Sequence, residues 1–135
     1  MEVMVRGKRM DNHEWIEGTY VTTCHNDDIV HFIIPNGSDL SRDVKVKNVL
    51  VEVIPETVGR YTGLLDKVDK RIFEGDICRS SLGTAFVVEW DEENARFIGY
   101  TTGNKRRMIY VSREPKVEVI GSVYDDSELI KATEK

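Results

Sequence analysis

Cysteine is scarce, with only Cys24 and Cys78 among 135 residues. They lie far apart in a chain without a secretory pattern, which excludes a disulfide scaffold and predicts reduced thiols. Long apolar runs are missing as well. The N-terminal MEVMVRGKRM carries charge where a signal peptide would need its apolar stretch. The sequence therefore predicts a soluble, cytoplasmic protein without a membrane partner. No Pro/Gly/Ser-rich linker divides the chain, so a single domain over 1–135 is expected. Excess positive charge is absent: the net charge is -5 and the pI about 5.2. That balance excludes a whole-surface attraction to nucleic acid or anionic lipid and leaves only a local basic patch.

Several chemical signatures are also wanting. No Gly-x-Ser-x-Gly elbow occurs, and neither cysteine sits in a nucleophile signature. Gly59 and Gly63 have the wrong spacing for a phosphate loop and no following Lys-Ser or Lys-Thr. Cys24, His25 and His31 lack the paired short spacings of a zinc site and read as the flanks of a polar, solvated hairpin. Asp91-Glu92-Glu93 reads as a hairpin tip rather than a cation cage. The expectation is a protein without catalytic residues, metal or cofactor.

What is present is a period of two. Short stretches rich in β-branched and aromatic residues run from Trp15 to Thr23, Ile29 to Ile34, Val46 to Ile54, Ala85 to Trp90, Phe97 to Thr101, Met108 to Val111 and Val117 to Tyr124. Between them stand the turn clusters MDNHE, HNDD, PNGSD, LDKVDK, SSLG, DEEN, TGNKR and SREP. This spacing predicts an all-β fold of antiparallel hairpins forming an SH3-like or partly open barrel. A short C-terminal helix is expected after the capping residues Asp125, Asp126 and Ser127. The stretch Ser41 to Val49 suits either a helical turn or a loop.

An internal echo links NHEWIEGTYV and DKRIFEGDIC. It places Gly18 and Gly75 in equivalent positions, where a glycine inside a strand pattern signals a bend, a bulge or a close backbone approach. Asp76 follows the second glycine, and its carboxylate is placed to accept a neighbouring backbone N–H and hold the corner. Gly18, Gly75 and Asp76 are thus expected to be structural.

The run PETVGRYTGLLDKVDKRIFEGDIC, with RGKRMDNHEWIEG near the N-terminus and VIGSVYDDSELI near the C-terminus, resembles the YopX family of phage and prophage proteins. The resemblance implies a β-rich, barrel-like domain of phage origin with no established activity. It also implies glycine in both echoed turns, where this chain has His13 and Asp69. If the backbone keeps a positive φ there, each departure costs roughly 1 kcal/mol, less for aspartate.

The binding candidates are Lys105, Arg106 and Arg107, in the run GNKRRM, together with Tyr100 and Tyr110. The bland reading of GNKRRM is a solvated turn that discourages edge pairing. The functional reading is a surface of tyrosine and arginine able to grip a protein partner or stack on bases. The favoured expectation is a non-catalytic accessory protein that contacts another protein, a second copy of itself included. The alternative is a nucleic-acid-binding barrel using the basic loop.

Overall fold

The computed structural model describes residues 4–38, 45, 48–103 and 106–133. It is all-β and antiparallel, with one short helix, α1 (Ser127–Thr133), where the capping residues predict it. The chain contacts divide into two compact units, Met1–Arg60 and Tyr61–Lys135.

In the first unit, β1 (Val5–Lys8), β2 (Trp15–His25), β3 (Asp28–Pro35) and β4 (Val51–Glu52) follow in the spatial order β4-β3-β2-β1. The first two residues of β5 (Gly59–Leu65) pair with β1 on its other side. Asn26 and Asp27 both take positive φ, 50° and 68°, between β2 and β3. That is the backbone of a primed two-residue turn, whose twist matches the flanking strands. The core of this unit is small: Val5, Ile33 and Val53 are buried, with Ile16 and Val58 packed against them. Beyond that core the tip of the β2–β3 hairpin is open to solvent on both faces, and Ile29 is 65% exposed. The expected strand from Val46 shrinks to β4 plus a single bridge from Val53 to Arg9. Val46 and Lys47, like 39–44, lie outside the described residues.

In the second unit, the rest of β5 pairs with β6 (Arg71–Phe73). The other strands, β7 (Asp76–Arg79), β8 (Ala85–Asp91), β9 (Arg96–Thr101), β10 (Met108–Ile109) and β11 (Glu118–Ser122), form an open sheet in the order β10-β9-β8-β7-β11. Among the described residues this sheet does not close on itself, because β10 and β11 remain its edges. Its core comprises Ile72, Cys78, Phe86, Val88, Val111 and Val117. The alternation of Phe86, Val88 and Trp90 predicts that all three pack in the core; Phe86 and Val88 do, whereas Trp90 is only half-buried and sits edge-on against Phe97 with ring centroids 4.9 Å apart. Gly99 keeps room for Phe86 and Ile109, since a Cβ there would meet Phe86 at 2.7 Å and Ile109 at 2.9 Å.

The segment after Pro55 combines a turn with a strand. Pro55 opens a 3-10 turn to Thr57, and the chain then continues as strand β5. Gly59 pairs with Arg6 inside the ladder, whereas Gly63, at φ 87°, marks a bulge where the register slips between Tyr61 and Leu65. At the other end Met108 to Val111 gives only a two-residue strand, because Val111 starts a 3-10 turn and buries its side chain in the core.

Candidate functional site

The site follows from strand parity in β8, β9 and β10. Phe86 and Val88 point into the core, so Val87, Glu89 and Asp91 stand on the opposite face. Their cross-strand partners are Tyr100, Ile98 and Arg96, and Met108 lies opposite Tyr100 on β10. One face of the sheet therefore collects two tyrosines, several arginines and two carboxylates.

The Arg106 side chain is exposed yet paired. Its Nη2 donates to Glu89 Oε2 at 2.5 Å, and its guanidinium carbon lies 4.0 Å from the centroid of the Tyr100 ring. A planar cation over a tyrosine face, anchored by a carboxylate, is held by the ring quadrupole and by a charge-assisted bond. Arg107 is tied to the end of β9: its backbone N–H donates to Thr101 Oγ1 at 2.8 Å while its carbonyl accepts the Thr101 N–H at 2.8 Å. The Arg107 side chain is exposed. Lys105 lies outside the described residues.

A second stack stands beside the first. Arg96 and Arg113 place their guanidinium carbons 5.2 and 5.0 Å from the Tyr110 ring. Arg96 Nη1 also donates to the Tyr110 hydroxyl at 3.2 Å, and its Nε donates to Asp91 Oδ2 at 3.1 Å. The Asn94 amide donates to the same carboxylate. The bonds from Asn94 and Arg96 together hold the Asp91 carboxyl below the usual aspartate range. Tyr110 keeps 45% of its surface exposed.

Sequence reasoning named Tyr100, Tyr110 and Arg106 but not Glu89, Arg96 or Arg113. Glu89 was within reach, because it alternates with the core residues of its strand. The distant pairing of Arg106 with Glu89 had no local signal.

The other candidates are structural in geometry. Asp76 is fully buried, and its Oδ2 accepts the Phe73 N–H at 2.7 Å, spanning the corner between β6 and β7. Gly75 takes φ 91° in that corner. Gly18 does not: it lies within β2, where a Cβ would stand 1.9 Å from the Ile34 carbonyl oxygen. The echoed glycines are thus not equivalent, since one permits a close backbone approach and the other a turn. His31 differs from the solvated imidazole expected of it, because its Nδ1 meets the Tyr20 hydroxyl and the two rings stack with centroids 5.8 Å apart. Cys24 is an exposed free thiol and Cys78 a buried one. Among the described residues no three His, Cys, Asp or Glu side chains gather as metal ligands. Nor is any helix there long and apolar enough to cross a membrane.

Comparison with known proteins adds the lineage. The family model described as YopX protein matches residues 5–131. The chain belongs to the YopX family. The match takes in most of both compact units and all of the tyrosine and arginine residues described above. Among curated proteins nothing matches the chain.

Proposed function

We propose that this YopX-family chain is a non-catalytic phage or prophage accessory protein that binds another protein through the arginine and tyrosine side chains gathered beside β8, β9 and β10. The observation that carries this reading is the pair of arginine–tyrosine stacks, Arg106 on Tyr100 and Arg96 with Arg113 on Tyr110. Tyrosine and arginine dominate the energetics of protein interfaces, because they bring large contact area and directional hydrogen bonds at a modest loss of rotamer freedom. Here Arg96 is already oriented by Asp91, which lowers the cost of ordering it on association. Family membership supports the phage or prophage setting, as the motif resemblance implies.

The nucleic-acid alternative is less well supported by the same face. Glu89 and Asp91 stand among the arginines and repel phosphate, and the exposed Glu92 and Glu93 extend the negative edge. The reading is tested by affinity capture from prophage-induced cells with wild type and with Tyr100→Ala/Tyr110→Ala. A specific protein retained by wild type and lost from the folded double variant is the expected result. Equal retention by both overturns the assignment of this face.

A further inference from the structure

A cleft of about 570 Å³ opens beside the Arg106–Tyr100 stack. Val87 and Glu89 of β8 contribute to its lining, with Tyr100 under Arg106 on one side. Tyr124 also lines it, with its ring 3.1 Å from the point where a Cβ on Gly75 would stand, and Glu74 belongs to the same lining. Three aromatic residues, Trp90, Tyr100 and Tyr124, and two carboxylates thus line one small space, and among the described residues Arg106 is the cation in that lining. That composition suits a positive charge: carboxylates attract it directly, and tyrosine faces attract it through their quadrupoles. An anionic group entering there would meet Glu74 and Glu89.

Arg106 shows how a guanidinium sits in this space, yet its hold is loose. Arg106 is 59% exposed at the side chain and Glu89 43%, so water competes for the pair and their attraction is screened. We propose that the cleft is a receptor for an arginine or lysine side chain presented by a partner polypeptide, and that Arg106 is its tethered occupant in the free protein. This inference rests on the protein-binding reading above and specifies the partner's chemistry. An incoming cation takes the Glu89 carboxylate and the Tyr100 face, and Arg106 swings out to meet an acceptor on the partner. A tethered competitor weakens apparent affinity by the fraction of time it fills the site, so its removal strengthens binding.

Calorimetric titration with two acetylated, amidated probe peptides tests the proposal: Gly-Ser-Arg-Arg-Ser-Gly and the same peptide with glutamate in both arginine positions. Wild type, Glu89→Gln, Glu74→Gln, Arg106→Ala and Glu56→Gln are compared after circular dichroism shows each to be folded. Glu56 lies in the first unit, and its variant controls for the loss of one negative charge anywhere. The arginine peptide should bind wild type and the Glu56→Gln control equally. Glu89→Gln should weaken it at least about fivefold and Glu74→Gln less, while Arg106→Ala should tighten it about two- to fivefold. The glutamate peptide should not bind. Weaker binding by Arg106→Ala, equal effects of Glu89→Gln and Glu56→Gln, or no binding of the arginine peptide to either wild type or Arg106→Ala overturns the cation receptor. Such a failure leaves the protein-binding reading standing, because that reading is decided separately by the Tyr100→Ala/Tyr110→Ala capture.

Discussion

The segments leading to Gly18 and to Gly75 share an order of residue types, turn residue, polar pair, two large apolar residues and Glu-Gly, but differ in structure. Both begin with a hairpin loop that ends on a left-handed residue, His13 at φ 62° and Asp69 at φ 64°. In the second loop Asp69 N–H bonds back to the Asp66 carbonyl, and Asp66 N–H to the Lys70 carbonyl, as in a type I turn closed by a left-handed bulge. Both then enter a strand of large apolar residues and reach Glu-Gly. The first runs on through Gly18 into an eleven-residue strand; the second stops at Phe73 and turns. The following residue makes the difference. Thr19 continues the ladder opposite Ile34, whereas the Asp76 carboxylate reaches back to the Phe73 N–H and closes the corner. One short motif thus serves a straight strand or a tight turn, according to whether the next side chain accepts a backbone hydrogen bond.

Substitutions break the comparison in graded steps. Gly18→Ala should have the largest effect, roughly 3 kcal/mol or more, because its Cβ would overlap a backbone carbonyl that cannot move without parting β2 from β3. Urea denaturation measures it, and a loss below 1 kcal/mol, about the scale of ordinary surface changes, would remove the close-approach account. Asp76→Thr, which gives the second copy the residue type of the first, should cost about 2 kcal/mol by leaving a buried N–H without its acceptor. A chemical melt that shows no loss would mean that the corner is held by other groups. Gly75→Val should cost about 1–2 kcal/mol, because a β-branched residue resists a positive φ and its Cβ would press on the Tyr124 ring. Thermal unfolding reports it, and an unshifted midpoint contradicts the strained corner.

Two smaller changes sharpen the comparison at the loops. Burial raises the Asp66 carboxyl pKa, but the N–H groups of Val119, Lys70 and Val68 outweigh it and hold the group below its ordinary value. A depressed folded pKa contributes stability above the unfolded value of about 3.9 and loses it as pH falls through the folded value. Asp66→Asn should therefore cost about 1 kcal/mol near neutral pH, and the gap to wild type should close as pH drops below about 4. Denaturation midpoints across pH measure this, and a gap constant with pH would show that the charge is not what matters. His13→Gly should stabilise by about 0.5 kcal/mol, more than Asp69→Gly, because aspartate tolerates the left-handed region better than histidine. Equal shifts in the two melts would remove that distinction.

The sequence made the longer strands of the second unit legible, since Phe86 and Val88 mark a buried face and Phe97 to Thr101 the neighbour across a polar loop. It obscured β5, because Gly59 and Gly63 look like punctuation when only Gly63 departs from strand geometry. It also hid the shortness of β4 and β10, whose ladders end where 3-10 turns and bridges take over. At the candidate site, Tyr100, Tyr110 and Arg106 were readable as types of residue. Their stacking was not, because the Arg106–Glu89 pair depends on the register between strands and on the path of a loop. In β9 that register is set by the pairing of Val87 with Tyr100, which no local pattern encodes.

The salt dependence of binding tests the central claim, that the arginine–tyrosine face recognises a protein, most directly. The partner captured by wild type is titrated onto the purified protein from low salt to about 0.5 M, with a short single-stranded and a duplex DNA titrated in parallel. Protein affinity should survive the rise in salt with modest weakening and fall with Tyr110→Ala, while neither DNA binds tightly at physiological salt. Tight DNA binding that collapses steeply as salt is added, and that vanishes in Arg106→Glu, would contradict the account and establish the nucleic-acid reading in its place.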